Sequence, residues 1–140
     1  GLNGMLEENS DGELVVVSSV AAFTTAKGGA AYCASKAAVL RFAEGLRYDL
    51  KGEPLSVTTI HPGWVETDMT RKYPEELRFL EISVDEAAEK IRRGIESDRD
   101  RVIFPWPMQF LVHLVEWLPD RLLDLARERA PTPTAVTQDK

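Results

Sequence analysis

Short apolar runs alternate with longer helical patterns along the first hundred residues of this chain. Three runs carry the branched or aromatic side chains typical of strands: Leu14 to Val17, Leu55 to Ile60 and Arg101 to Phe104. Between them lie two helical patterns, one from about Ala30 to Leu50 and one from the capping box at Ser83 to about Glu96. Strands that alternate with helices predict a parallel sheet with right-handed crossovers, and therefore an α/β layered fold.

The same pattern predicts the burial of the first strand and the character of two less regular segments. Residues 1–12 are typical of the end of a helix followed by a polar turn. The first strand, Leu14 to Val17, is apolar at every position, which predicts burial on both faces of the sheet. The segment from Thr67 to Glu81 predicts an irregular loop with a short helix after Pro74, which suits a mobile lid over a substrate.

The last third of the chain predicts two amphipathic helices within residues 107–129, divided by Pro119. Two interpretations remain open for the apolar face of 108–129. The helices cover a substrate crevice or a subunit contact, or they rest on a membrane surface. Acidic side chains along both helices favour the first interpretation. Residues 130–140 predict a disordered tail.

Composition narrows the class of protein. A length of 140 residues and a hydrophobic content of 44% predict a single domain that is large enough to form a hydrophobic core. A net charge of -6 argues against a nucleic-acid surface. The single cysteine, Cys33, excludes an internal disulfide and is interpreted as a small buried residue. We expect a cytoplasmic protein, with peripheral membrane contact through 108–129 as the alternative.

Tyr32 and Lys36 are the main candidates for chemistry. They stand four residues apart at the start of the long helix, so the phenol and the ammonium lie on one face. A fixed cation beside a phenol favours the phenolate, which suits proton transfer near neutral pH. Exposed pairs of this kind are common on helices, so the spacing alone does not establish a site.

The surroundings of this pair strengthen the candidate. Ser19 stands 13 positions before Tyr32, directly after the first strand, and Pro62-Gly63 follows the second strand. Since the carboxyl ends of parallel strands meet at one edge of a sheet, we expect Ser18-Ser19, His61 to Gly63 and Phe104 to Trp106 to gather there. His61 has no second ligand at metal spacing and is interpreted as structural, and we expect no metal site.

Three segments in this order resemble the second half of a short-chain dehydrogenase/reductase: Val15 to Ser19, Tyr32 to Lys36 and Pro62 to Met69. The resemblance is detailed from about Gly12 to Thr70. It implies that residues 1–106 are the C-terminal half of a doubly wound, Rossmann-like parallel-sheet domain, followed by the amphipathic helices.

The resemblance also implies an activity: an NAD(P)-dependent oxidoreductase that interconverts a carbonyl and a secondary alcohol. Tyr32 would be the acid or base at the substrate oxygen, Lys36 would favour its phenolate and hold the nicotinamide ribose, and Ser19 would hold the substrate oxygen. The cofactor-binding positions that it implies are Tyr32, Lys36, Pro62, Gly63, Val65 and Thr67. The cofactor is NADP or NAD, which these residues do not distinguish. The implied partners are a carbonyl or alcohol substrate and a second copy of the complete protein, and the apolar face of the C-terminal helices favours an apolar substrate.

The chain also departs from the family pattern. It contains no glycine-rich strand-to-helix turn of the dinucleotide-binding kind, and the family's catalytic asparagine is expected upstream of Gly1. We therefore expect a fragment that lacks the N-terminal cofactor half and is inactive alone. The alternative is a non-catalytic interaction module that retains the half-fold.

Overall fold

Three strands form one parallel sheet in the computed structural model of the chain. They are β1 (Gly12–Val17), β2 (Leu55–Pro62) and β3 (Arg101–Phe104), in the order β1-β2-β3. The register runs from Gly12 opposite Leu55 to Val17 opposite Ile60, and from Thr59 opposite Arg101 to Pro62 opposite Phe104. All three predicted strands are present, and their parallel pairing confirms the α/β class.

The structure describes residues 12–25, 28–75, 78, 80–119 and 121–124. Three expectations fall on residues outside this set: the helix end and turn before residue 12, the far end of the second C-terminal helix at 125–129, and the disordered tail over 130–140.

The helices of the described chain are α1 (Ala30–Asp49), α2 (Val84–Glu96) and α3 (Trp106–Trp117), with short 3₁₀ helices at Val20–Phe23 and Thr70–Lys72. Ser83 caps α2, because its hydroxyl accepts a hydrogen bond from the Glu86 N–H at 3.1 Å, as the capping box predicts. The short 3₁₀ helix of the loop lies before Pro74, and the segment after Pro74 is only partly described. The C-terminal pattern is confirmed in part, since α3 ends before Pro119 and residues 121–124 are helical.

Helices cover both faces of the sheet. Because side chains alternate along β3, Val102 and Phe104 pack with Ile60 beneath α2, whereas Ile103 faces α3. On the face of the sheet that carries Ile103, the side chain of Arg101 forms ion pairs with both α1 and α3. Its guanidinium lies 2.8 Å from the Glu44 carboxylate on α1 and 3.5 Å from the Glu116 carboxylate on α3. This two-sided packing is that of a doubly wound sheet.

The expected burial of the first strand on both faces is wrong. Residues from Gly12 to Val16 are half-buried, and Val17 is 55% exposed. β1 lies at an edge of the described sheet, so one side of the strand has no neighbour there. β2 is the central strand and carries most of the burial.

None of the helices in the described part of the chain combines the length and the hydrophobicity that crossing a membrane requires.

Candidate active site at the carboxyl edge of the sheet

The ends of the three strands are joined by hydrogen bonds, as expected for the carboxyl edge of a parallel sheet. The Ser18 N–H donates to the Ile60 carbonyl at 2.8 Å, and the Gly63 N–H donates to the Phe104 carbonyl at 2.8 Å. The residues that follow the strands therefore lie side by side, where ligands bind in folds of this kind.

Ser19 lies at the junction of β1, β2 and the first 3₁₀ helix. Its hydroxyl caps that helix by accepting from the Ala21 N–H at 3.2 Å, and it donates to the Pro62 carbonyl at 3.4 Å. Ser19 is buried. The bond to Pro62 is long, so the hydroxyl can exchange it for a stronger acceptor such as a substrate oxygen.

Tyr32 and Lys36 lie together on the first turns of α1. The Lys36 Nζ is 5.6 Å from the centroid of the Tyr32 ring. Tyr32 is 46% exposed, and within the described residues its hydroxyl has no hydrogen-bond partner and Lys36 has no carboxylate partner. Both groups are thus accessible to a ligand that brings oxygen atoms to this face.

Ser18 holds this face of α1 against the sheet. Its buried hydroxyl donates to the Lys36 carbonyl at 2.9 Å. The sequence pattern singled out Ser19 by its spacing to Tyr32 and did not predict this role for Ser18. The only signal is a second hydroxyl at the strand end, since the bond links residues that are distant in the chain.

The segment after β2 is fixed by close packing and by Thr70. A Cβ on Gly63 would lie 3.2 Å from the Phe104 carbonyl oxygen and 3.2 Å from Pro105 Cδ, so a larger residue would push the strand ends apart. Val65 forms a parallel bridge with Ile82.

The sequence pattern did not predict that Thr70 holds this segment in place. Its buried hydroxyl donates to the Val65 carbonyl at 2.7 Å and accepts from the Thr67 N–H at 2.8 Å. Pro62, Gly63, Val65 and Thr67 therefore belong to one ordered segment at the carboxyl edge.

His61 is fully buried beneath Ser19. Its Nδ1 lies 3.4 Å from the Ser19 carbonyl oxygen, and its ring packs against Phe23 with 4.9 Å between centroids. The pKa of His61 is lowered from 6.5 to about 4; burial is the largest cause, the Ser19 carbonyl opposes the change, and the nearby Arg101 cation contributes to it. The imidazole is therefore neutral near pH 7, which fits a structural interpretation.

An apolar cavity of about 220 Å³ opens between the first 3₁₀ helix and α3. Val20, Phe23 and Thr24 form one wall, and the other is lined by Met108, Leu111, Val112 and Val115. Val20 directly follows Ser19, so the cavity begins next to the candidate site. In the described residues, no cluster of three His, Cys, Asp or Glu side chains could hold a metal ion.

Comparison with known proteins gives consistent matches over most of the chain. A family model described as short chain dehydrogenase matches residues 1–78, which is more than half of the chain. An uncharacterized oxidoreductase of Myxococcus xanthus is 38% identical over 122 residues, which are 87% of this chain and 48% of that protein.

Solved structures agree with the sheet topology. A short-chain dehydrogenase from Burkholderia cenocepacia, in complex with NADP, is 29% identical with a TM-score of 0.74, and the match covers 92% of this chain and 52% of that one. A short-chain dehydrogenase/reductase from Burkholderia phymatum, in complex with NAD, is 20% identical with a TM-score of 0.67, which shows likeness of fold; the match covers 93% of this chain and 53% of that one. The chain spans about half the length of the proteins it matches.

Proposed function

The chain belongs to the short-chain dehydrogenase/reductase family, and from this premise we propose that the natural protein is an NAD(P)-dependent oxidoreductase interconverting a carbonyl and a secondary alcohol. The observation that carries the proposal is the accessible pair of Tyr32 and Lys36 beside the strand end that bears Ser19. The hydrogen bond from Ser18 to the Lys36 carbonyl supports this arrangement by joining the two elements. The Burkholderia cenocepacia structure supports a nicotinamide cofactor.

In this proposal Tyr32 is the acid that protonates the substrate oxygen in reduction and the base that accepts the proton in oxidation. Lys36 stabilises the negative charge that develops on the Tyr32 oxygen, and the Ser19 hydroxyl holds the substrate oxygen. The bound nicotinamide supplies or accepts the hydride. A positioned acid of this kind contributes about 10²–10⁴ in rate, and orientation supplies much of the remainder.

The described residues fit the nicotinamide end of the cofactor. Lys36 has no carboxylate partner there, so its ammonium is available to the hydroxyls of the nicotinamide ribose. The ordered segment at the same edge would line the nicotinamide: Pro62, Gly63, Val65 and Thr67. No glycine-rich turn for the pyrophosphate occurs in this sequence, so we propose the activity for a natural protein that supplies one elsewhere.

We propose an apolar substrate. The cavity beside Ser19 has apolar side chains at every lining position except Thr24, so it would accept a hydrocarbon group and disfavour a charged one. This arrangement supports the interpretation that the C-terminal helices cover a substrate crevice. We also propose that subunits pair through α1, where the ring of Phe42 is exposed.

A second candidate is a non-catalytic interaction module. It is favoured by the outer face of α3, on which Trp106, Phe110 and Trp117 are exposed. An interaction module has no need of a nicotinamide cofactor. Measured binding of NADPH or NADH to the natural protein therefore separates the two candidates.

Replacing Tyr32 with Phe in the natural protein tests the proposed chemistry. Since the substitution removes only the acidic hydroxyl, we expect turnover to fall by about 10²–10⁴ while the Kd for NADPH stays unchanged. Turnover is followed by the absorbance of the reduced nicotinamide, with cyclohexanol as the probe for oxidation and cyclohexanone as the probe for reduction. Tyr48→Phe, an exposed tyrosine near the far end of α1, is the matched control and should behave as the natural protein. Full turnover in Tyr32→Phe would remove Tyr32 from the mechanism.

A further inference from the structure

The proposed chemistry assigns no role to the buried imidazole of His61. It is fully buried near the end of β2, and its two ring nitrogens have different surroundings. Nδ1 lies 3.4 Å from the Ser19 carbonyl oxygen, whereas Nε2 is buried with no partner among the described residues. Burying a polar nitrogen without a hydrogen-bond partner costs free energy, and a leucine or phenylalanine at this position would avoid that cost.

The contact with Ser19 determines which tautomer is present. A carbonyl oxygen can only accept a hydrogen bond, so Nδ1 must carry the proton and Nε2 the lone pair. The ring is neutral near pH 7, for the reasons given above. His61 is thus a neutral donor aimed at one backbone oxygen.

That oxygen belongs to the peptide group that orients Ser19. The Ser19 carbonyl also accepts from the Ala22 N–H at 3.0 Å, so two donors hold it. The Ser19 hydroxyl accepts from the Ala21 N–H at 3.2 Å, so the same 3₁₀ turn contacts both the carbonyl and the hydroxyl of Ser19. The buried imidazole therefore contacts the backbone of Ser19 at its carbonyl oxygen.

The ring of His61 also supports the helix that Ser19 caps. Phe23, the last residue of that 3₁₀ helix, packs against the imidazole at 4.9 Å and a tilt of 60°. The Arg101 guanidinium lies 5.1 Å from the Phe23 ring centroid. The 3₁₀ helix is consequently held at both ends by His61, at Ser19 through a hydrogen bond and at Phe23 through ring packing.

We propose that His61 is a positioning residue for Ser19, holding its carbonyl and the following 3₁₀ helix so that the serine hydroxyl is directed at the substrate oxygen. This inference rests on the proposed function, because it gives His61 a task only if Ser19 binds substrate. It goes beyond that function by assigning a role to a side chain that does not touch the reacting atoms.

Three substitutions of His61 in the natural protein distinguish the effect of its hydrogen bond to Ser19 from the effect of its ring packing against Phe23. His61→Asn keeps an N–H close to the position of Nδ1, His61→Gln moves the amide towards the position of Nε2, and His61→Phe keeps a ring without a donor. We expect kcat to stay within about threefold for His61→Asn and to fall about tenfold or more for the other two, since small misplacements of a substrate-binding group are costly. The Kd for NADPH should not change in any of them.

A double-mutant cycle with Ser19→Ala distinguishes a positioning role from a merely structural one. If His61 acts through the serine hydroxyl, His61→Phe lowers kcat in the natural background and has no further effect once that hydroxyl is gone. An equal loss of kcat in both backgrounds, or equal behaviour of the Asn and Gln variants, would overturn the inference. Circular dichroism and cooperative unfolding confirm that each variant is folded before kcat is compared.

The outcomes also distinguish failure of this inference from failure of the proposed function. If Tyr32→Phe retains full turnover, the proposed chemistry is wrong, and the role proposed for His61 is wrong as well because it depends on that chemistry. If Tyr32→Phe and Ser19→Ala are both impaired while the cycle shows additive losses, the chemistry stands and only the role of His61 is overturned.

Discussion

At the scale of single residues, burial and hydrogen bonding separate side chains that look alike in the sequence. Ser18 and Ser19 are adjacent hydroxyls at the end of β1, yet Ser18 bonds the Lys36 carbonyl and Ser19 faces the end of β2. Tyr32 and Tyr48 lie on the same helix, and only Tyr32 has a lysine ammonium over its ring. The two serines differ through partners that are distant in the chain, whereas the two tyrosines differ through a neighbour one helical turn away.

His61 should make the stability of the protein depend on pH between about pH 4 and 6.5. Its folded-state pKa of about 4 lies below the value of 6.5 expected in the unfolded chain, so in this range the unfolded state binds a proton that the folded state does not. The contribution of His61 to stability is complete above pH 6.5, is lost as the pH falls to about 4, and changes no further below that. The loss is on the order of 3 kcal/mol.

Urea unfolding of the natural protein at the two ends of this range measures the effect. The charged groups that act on His61 are Arg101 on β3 and Glu44 and Arg47 on α1, and they stay in place in His61→Asn. We expect His61→Asn to flatten the pH dependence. An unaltered pH dependence in His61→Asn would contradict the assignment.

The candidate site was predictable from sequence only in part, for a physical reason. Tyr32 and Lys36 are four residues apart on one helix, so local geometry brings them together whatever the rest of the fold does. The contacts of His61 and Ser19 span 42 residues, and the contact of Ser18 and Lys36 spans 18. Nothing in the local pattern marks such pairs, and a buried histidine next to a turn looks the same whether or not it holds a carbonyl.

At the scale of elements, local signals predicted where helices and strands begin and end. Ser83 caps α2 and Pro119 follows α3, so those boundaries agree with the sequence to within about two residues. Burial was less predictable. Residues 14–17 of β1 are all apolar but the strand lies at an edge, whereas the central β2 buries Thr58, Thr59 and His61. Which strand is central depends on sheet order, which the composition of one strand does not determine.

Gly94 offers a test of the packing between α2 and the sheet. A Cβ on Gly94 would lie 2.9 Å from Val102 Cγ1 and closer still to Cγ2, and the branched valine side chain cannot turn away easily. Alanine is favoured over glycine inside a helix by about 1 kcal/mol, but here the clash should prevail. We expect Gly94→Ala to lower the free energy of unfolding by about 1–3 kcal/mol.

Gly45 is the matched control for this prediction, because it also lies inside a helix and its Cβ would meet no atom within 4 Å. Gly45→Ala should leave the free energy of unfolding unchanged or raise it by up to about 1 kcal/mol. Chemical denaturation of the natural protein and of both variants measures the difference. Equal stability of the two variants would mean that α2 does not pack on Val102 as closely as described.

At the scale of the whole molecule, one charged residue ties together the elements that surround the candidate site. Arg101 contacts Glu44 on α1, Glu116 on α3 and the ring of Phe23. Burial by itself would raise the pKa of Glu44, but hydrogen bonds from Arg41 and Arg101 outweigh it and hold that pKa below its ordinary value. Glu44 is therefore ionised near neutral pH, and the two helices on this face are joined through the start of β3.

The open edge of β1 yields a prediction about the natural protein. The N–H groups of Gly12 and Ser18 point towards β2, donating to Pro54 at 2.9 Å and to Ile60 at 2.8 Å. Because N–H groups alternate in direction along a strand, those of Glu13, Val15 and Val17 point away from β2. Within the described residues no strand pairs with that side.

The chain spans about half the length of its relatives, and an unpaired strand edge promotes unwanted association. We therefore expect another strand of the natural protein to pair with β1 and to slow hydrogen exchange at Glu13, Val15 and Val17. In the 140-residue chain alone these three amides should exchange quickly. The amides of Leu14 and Val16, which point towards β2, should exchange slowly in both samples and serve as the internal control. Fast exchange at the three outward amides of the natural protein would mean that the edge of β1 is open there too, which would favour the interaction module over the oxidoreductase.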